Sequence, residues 1–430
     1  MSHAFIAHGA DQSDNLLKLH EALRAAGIPA RYSSPDRQAA LDAVSIDEAS
    51  LMIVLISYDS MRSNDVRSQI VRAKRNGTTI IPVLADRARL TGYIKTELGK
   101  SIAHKIEDIG AVIDAAQKAY RQVSPVVAVM NLKGGIGKTT IASQISASYQ
   151  AHTGARVLLI DFDPQYNLTQ LFFPGIQADE AIAADQSVIS LFEKSRVHQA
   201  DLTSPADRWA TLSTEPFAPA PRGKISHSLL GDTETKGRLD IVFGQFEISK
   251  YAFSTDTAGL EAVRANFLRS IEYYRGQYDL IVLDTNPNAT FLTRCALQAT
   301  DRVLAPMHTD IYSLRGVRLL NRVINDQTSD EKRPDLSVLF NAVERREQSD
   351  FEADTRNGVF NEQVGFDLSS KMMSAAIPKS RHFQIKMKED EPPSRRLLAH
   401  YGRGGGLRHV RQSLLTASLE LATLLGKPAG

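Results

Sequence analysis

The residues best placed to do chemistry lie in one run, Asn131-Leu132-Lys133-Gly134-Gly135-Ile136-Gly137-Lys138-Thr139-Thr140. A short β-branched stretch, Val126 to Met130, leads into it, and a helical pattern opens at Ile141. Strand, glycine-rich turn and Lys-Thr at a helix start together form a polyphosphate cradle. Glycines let backbone N–H groups curl around an anion without a Cβ clash. The helix N-terminus adds partial positive charge. Gly134, Gly135, Ile136, Gly137, Lys138, Thr139 and Thr140 would wrap the phosphates. Lys138 would neutralise the β- and γ-phosphates, and the Thr139 hydroxyl would ligate Mg²⁺. A glycine-rich loop without a ligand is the competing reading, and the strand–turn–helix setting weighs against it.

Three acids and an amide stand where strands end. Arg156 to Phe162 is an apolar strand that delivers Asp161 and Asp163, which alternation puts on one side. Carboxyl ends of strands are where open α/β sheets bind ligands. Carboxylates that merely cap the next element are the alternative. Tyr278 to Asp284 is a second apolar strand ending in an acid, and Asp284 would reach Mg²⁺ through water. Ser337 to Asn341 is a third such strand. Its Asn341 would read an adenine base or cap the next turn.

The loop has Leu132 where the general pattern asks for a glycine, and Lys133 follows it. Lysine followed by Gly-Gly-x-Gly-Lys-Thr-Thr resembles the ParA/MinD/Soj ATPases, with their deviant phosphate loop. Asp161-x-Asp163-Pro-Gln165-x-Asn167-Leu-Thr169 is similar to that family's first switch. Asp284-Thr285-Asn286-Pro287 departs from the usual Thr-Pro-Pro after the acid, which leaves the second switch undefined in detail. The resemblance spans about residues 125–425. It implies ATP and Mg²⁺ as cofactors and a homodimer that closes on ATP. Lys133 would reach the neighbour's nucleotide, placing charge where the transition state develops it. Asp163 would position the attacking water, Asp161 would support the magnesium shell with Thr139 and Asp284, and Asn341 would hold adenine.

These residues need a parallel sheet behind them. The expected fold is α/β throughout: a flavodoxin-like domain at 1–122, then a P-loop NTPase domain at 123–430 with a mostly parallel sheet flanked by helices. In the first part, strands at His3–His8, Ile28–Tyr32, Ser50–Ser57 and Thr78–Leu84 alternate with helices at Asp11–Gly27 and Asp65–Asn76. Pro125 marks the boundary. The opening strand before His8-Gly9-Ala10-Asp11, the Ser50–Ser57 strand and Ser63 to Ala73 resemble a TIR domain. Many such domains cleave NAD⁺ with a glutamate. Gln69 stands at the matching position and cannot ionise, so an interaction module is expected, with Ser33 to Arg37 as its variable loop. In the second part, the polar stretch 174–236 reads as an insertion or a partly mobile region, Gly402–Gly406 as a hinge, and Leu414–Leu425 as a packing helix.

Bulk properties narrow the classes. The 430 residues are 43% hydrophobic and 23% charged, which suits two or three globular domains. One cysteine, Cys295, excludes a disulfide framework or a Cys-rich metal site, fitting a reducing cytoplasm. No apolar run is long enough for a membrane span, and no leader peptide is expected. Net charge is only +2. Yet Lys371, Lys379, Arg381, Lys386, Lys388, Arg395, Arg396, Arg403, Arg408, Arg411 and Lys427 face only Glu389, Asp390, Glu391 and Glu420 after Ser370. Such an end binds nonspecific DNA, or is simply a solvated basic face. The expected function is a dimerising, ATP-dependent ATPase in plasmid partition or antiphage defence, with a protein partner for the TIR-like part. An NAD⁺-consuming effector and an ATP-controlled filament are the alternatives.

Overall fold

The computed structural model describes residues 3–9, 12–32, 46, 49–75, 78–85, 91–98, 102–121, 124–173, 180–181, 186–194, 212, 216–231, 237–288, 290–344, 348–383, 392–400 and 405–426. The chain divides into two compact units. One is Met1–Ser124 with Glu272–Gln277, and the other is Pro125–Ile271 with Tyr278–Gly430.

The first unit is built on β1 (His3–Ala7), β2 (Ala30–Tyr32), β3 (Ala49–Ile56), β4 (Thr79–Leu84) and β5 (His104–Lys105). They form one sheet in the order β2-β1-β3-β4-β5 with every pairing parallel. This is the order of flavodoxin-like doubly wound sheets. The central strand explains the two-sided burial. Leu51, Ile53 and Leu55 pack with Leu16, Leu19 and Leu23 of one helix and Val112 and Ala116 of another. Met52, Val54 and Ile56 pack on the opposite face with Val66, Ile70 and Ile94. A strand buried on both sides reads as an unbroken apolar run, as β3 does.

The second unit holds β6 (Val126–Val129), β7 (Arg156–Phe162), β8 (His227–Gly231), β9 (Arg238–Val242), β10 (Leu280–Thr285), β11 (Arg302–Met307), β12 (Asp335–Val343) and β13 (Met372–Pro378). Their order is β13-β12-β11-β6-β10-β7-β9-β8, parallel except for the antiparallel edge pair β8–β9. Strands β6, β7 and β10 thus lie side by side at the centre, and their carboxyl ends carry the phosphate loop, Asp161 and Asp284. The helix Lys138–Thr153 and the helix Gly405–Leu424 cover one face, where Ile141, Ile145, Leu414 and Leu421 meet Val127, Leu159 and Val282.

Two expectations about this unit change. Gly405 and Gly406 are helical rather than hinge, and the C-terminal helix begins at Gly405 rather than near Leu414. Leu407 and Val410 are buried in the same core, so their burial favours the helix over the flexibility of the glycines. The remainder of Gly402–Gly406, with Arg403, lies outside the described residues, as do Ser33–Arg37. Within 174–236, Arg222–Ile225 is a helical turn and His227–Gly231 is the edge strand β8, so part of that polar stretch completes the sheet. Much of the rest of 174–236 is outside the described residues. Among the described residues, no helix is long and apolar enough to cross a membrane.

The edge strand yields a pH prediction. The His227 ring stacks on Phe243 with centroids 3.8 Å apart, and burial lowers its pKa below 6.5. A histidine held neutral in the fold contributes stability that is full above the unfolded pKa and is lost as pH falls through it towards the folded value. His227→Phe should therefore narrow the loss of melting temperature between pH 7 and pH 5, as read by calorimetry. An identical pH profile for the two proteins would refute the buried neutral ring.

Candidate functional site

The phosphate loop is shaped by two left-handed glycines, Gly135 (φ 73°) and Gly137 (φ 84°). Gly137 has a second constraint, because a Cβ there would sit 2.5 Å from Nδ2 of Asn341. That amide donates to the Ile136 carbonyl at 2.7 Å, so the end of β12 is tied directly to the loop. The next residue, Ala342, holds φ at 55°, a strained value for a side chain and one common at ligand sites.

Lys138 opens the helix that follows and is only 8% exposed. Its Nζ donates to the Lys133 carbonyl at 3.3 Å. Burial lowers its pKa, while the charges of Asp284 and Asp163 oppose that shift. The neighbouring Thr139 faces Asp284. Asp284 is 1% exposed, and neither carboxylate oxygen accepts a well-formed hydrogen bond among the described residues. Thr139 is near enough to favour the ionised form, but burial and the Asp161 charge win and push the Asp284 carboxyl well above its usual range. A buried carboxylate without partners is costly unless something positive comes to it.

Asp161 is placed differently. Its Oδ2 accepts from both the amide and the hydroxyl of Thr169, each at 2.7 Å, and its Oδ1 faces the Asp163 amide at 3.4 Å. The Thr169 hydroxyl in turn accepts from Gly244 N at 2.8 Å. A Cβ at Gly244 would lie 2.7 Å from the Asp161 carboxyl carbon, so only glycine permits this approach. Complete burial raises the Asp161 pKa to about 7 against these hydrogen bonds. Asp161 thus braces the turn after β7 and adds charge to the cluster, while Asp284 keeps its oxygens free. Asp163 accepts from Gln165 N at 2.9 Å and is raised by burial, with that bond and Lys138 pulling it back. Tyr166, just beyond, is left-handed at φ 40°.

Lys133 points elsewhere. Its Nζ lies 3.1 and 3.0 Å from the two oxygens of Asp310 and 3.0 Å from Ser313 Oγ. Asp310 caps the helix Ile311–Gln327 by accepting from Ser313 N. Partial burial opposes ionisation of Asp310, but its bonds from Lys133 and Ser313 outweigh this and hold the carboxyl below its usual range. Asn131, fully buried, donates to the Pro306 carbonyl at 2.9 Å and accepts from Lys133 N at 3.0 Å.

The structure therefore gathers Lys138, Thr139, Asp161, Asp163 and Asp284 into one cluster and links Asn341 to its loop. The sequence alone gave no role to Asn131, Gly244, Asp310 or Ser313. A helix-start signal was present in Asp310 and Ser313, but no spacing rule says that a cap faces a lysine 177 residues away. The basic end also changes. Arg396 is 3% exposed and donates to the Leu171 carbonyl, Arg411 donates to Leu398, and Lys379 pairs with Glu344.

A family model described as an AAA domain matches residues 124–338, half of the chain, and covers the loop, the strands that end at Asp161 and Asp284, and most of the sheet. The chain belongs to the ParA/MinD/Soj family of P-loop ATPases. It is 32% identical over 199 residues to a putative replication protein A of Sinorhizobium fredii, covering 45% of this chain and 41% of that protein. It is 30% identical over 191 residues to the chromosome-partitioning ATPase Soj of Thermus thermophilus, covering 44% and 57%. The sporulation initiation inhibitor Soj of Bacillus subtilis is 28% identical over 199 residues, covering 46% and 64%. The chain spans less than two thirds of the length of each of these relatives. Among solved structures, pNOB8 ParA bound to nonspecific DNA is similar at 21% identity and a TM-score of 0.49, covering 71% of this chain and 99% of that one. The family assignment rests on the P-loop unit, the part of the chain that the family model matches.

Proposed function

We propose that this ParA/MinD/Soj-family chain is an ATP-switched, dimerising ATPase whose N-terminal unit is a TIR-like interaction module. The observation that carries the reading is the glycine loop with Lys138 and Thr139 beside the orphaned, buried Asp284 carboxylate. The donor set suits a hard cation held by few protein groups: one hydroxyl, one carboxylate and phosphate oxygens. Among the described residues there is no cluster of three or more His, Cys, Asp or Glu side chains that would make a metal site by themselves. Mg²⁺, when bound with the nucleotide, would neutralise phosphate charge beside Thr139 and Asp284. The loop amides and Lys138 bind and orient the β- and γ-phosphates. Asp163, at the mouth of the cluster, orients the water, and Asp161 with Thr169 holds that turn in place. Asn341 holds the adenine edge beside the loop. Lys133 serves the nucleotide of a second subunit.

Lys371, Arg381 and Arg408 are exposed and suit phosphate-backbone contacts in the closed dimer. Relatives named for replication and chromosome partition support a role in segregating a plasmid or mobile element. The parallel β2-β1-β3-β4-β5 sheet supports the TIR-like reading of the first unit. Gln69, in the helix Asn64–Arg75, offers an amide where NAD⁺ cleavage would need an acid, which favours an adaptor over an effector.

Light-scattering chromatography with ATP·Mg²⁺ against ADP, with and without duplex DNA, tests the reading. A dimer or larger species that forms only with ATP and captures DNA is the expected result. Unchanged size with ATP would defeat the switch. Lys133→Ala is expected to retain ATP binding and lose turnover, because within its own subunit the ammonium meets Asp310 and Ser313 rather than the phosphate loop. Surviving turnover would show that the lysine has no such role.

A further inference from the structure

The ammonium of Lys133 is saturated within its own subunit. Three acceptors, both Asp310 oxygens and Ser313 Oγ, lie 3.0–3.1 Å from it. The receiving side is rigid. Asp310 Oδ1 accepts from Ser313 N at 2.9 Å and its Oδ2 from Ser313 Oγ at 2.9 Å, which fixes the carboxylate. The lysine backbone is pinned by the buried Asn131. A Cβ on Gly316 would come within 2.8 Å of Asn131 Oδ1 and 3.4 Å of Lys133 Cβ, so the helix Ile311–Gln327 is seated against this corner. Yet the pair is not deeply buried, with side-chain exposures of 30% for Lys133 and 36% for Asp310. An ion pair so exposed holds weakly and breaks readily.

We infer that Asp310, braced by Ser313, is a positioning residue that parks Lys133 in cis and so sets the threshold for closing the ATP dimer. This rests on the reading of Lys133 as a lysine used in trans. One ammonium cannot fill this cradle and also reach a neighbour's phosphate, so Asp310 competes with the second nucleotide for the same charge. Closing two subunits breaks two such pairs, and any weakening of the cradle favours closure.

Asp310→Asn is the informative variant, because asparagine caps a helix as well as aspartate while it lacks the charge. With ATP·Mg²⁺ and no DNA or partner, the protein concentration at half-dimerisation should fall roughly two- to thirtyfold, as expected when two partly exposed pairs no longer have to break. Basal turnover per subunit should rise by a similar factor at concentrations below that midpoint, with the KM for ATP unchanged. Ser313→Ala, which removes one acceptor and keeps the carboxylate, should move the midpoint in the same direction by less. Adding Lys133→Ala to Asp310→Asn should erase the gain in turnover. An unchanged or higher midpoint in both single variants overturns the cradle, as does a turnover gain that survives without Lys133. If Lys133→Ala alone leaves turnover and assembly at wild-type levels, the trans reading fails and the cradle with it. If Lys133→Ala is inactive while Asp310→Asn and Ser313→Ala are silent, only the cradle fails.

Discussion

Lys138→Ala should lower ATP affinity by at least ~100-fold and take hydrolysis below detection, the range seen when one preorganised charge or donor is removed from a transition-state site. The lysine is held 8% exposed at the first turn of its helix, between Asp284 and Asp163. A cation so desolvated is kept at a cost, and an arriving polyphosphate repays it with charge–charge contacts in a low-dielectric site. Alanine leaves the loop glycines and the helix N-terminus intact, so residual binding reports the backbone amides alone. Titration with a fluorescent ATP analogue and a phosphate-release assay would measure both losses. A cooperative melt of the ligand-free variant would separate lost binding from lost folding. Affinity within about tenfold of wild type would remove Lys138 from the phosphate site.

Asp284→Asn should pull stability and activity in opposite directions. The carboxylate is fully buried and orphaned, and its pKa is raised well above 3.8, chiefly by burial. An acid whose folded pKa is raised contributes stability that is present below its unfolded pKa and disappears as pH rises through the folded value. At pH 8, in EDTA and without nucleotide, the neutral amide should therefore melt higher than wild type, by roughly 1–3 kcal/mol in stability. The gap should shrink towards pH 4.5, where the wild-type carboxyl is already protonated. Magnesium-dependent turnover should fall by ~100-fold or more in the same variant, because the amide brings no charge to the cation. A ligand-free variant less stable than wild type at pH 8 would show that Asp284 has a structural partner instead.

The sequence by itself determined much of this protein. Helix and strand alternation, β3's unbroken apolar run and the Gly134–Thr140 loop follow from local rules: side-chain period, glycine backbone freedom and the orphan N–H groups of a helix start. For the same reason Lys138, Thr139, Asp161, Asp163, Asp284 and Asn341 could be picked out, since each ends a strand or opens a helix. Only the tertiary structure decided what each one meets. Asp161 and Asp284 look alike in sequence, each an acid at the end of an apolar strand, yet Thr169, itself held by Gly244, occupies the first, while the second has only Thr139 facing it. Lys133 is written beside the phosphates but rests on Asp310, across the junction of β6 and β11. Gly405 and Gly406 read as a hinge until Leu407 and Val410 find a core to enter. Partners that lie far apart along the chain are set by sheet order and packing. Those depend on the summed burial of many side chains, and no local spacing records them.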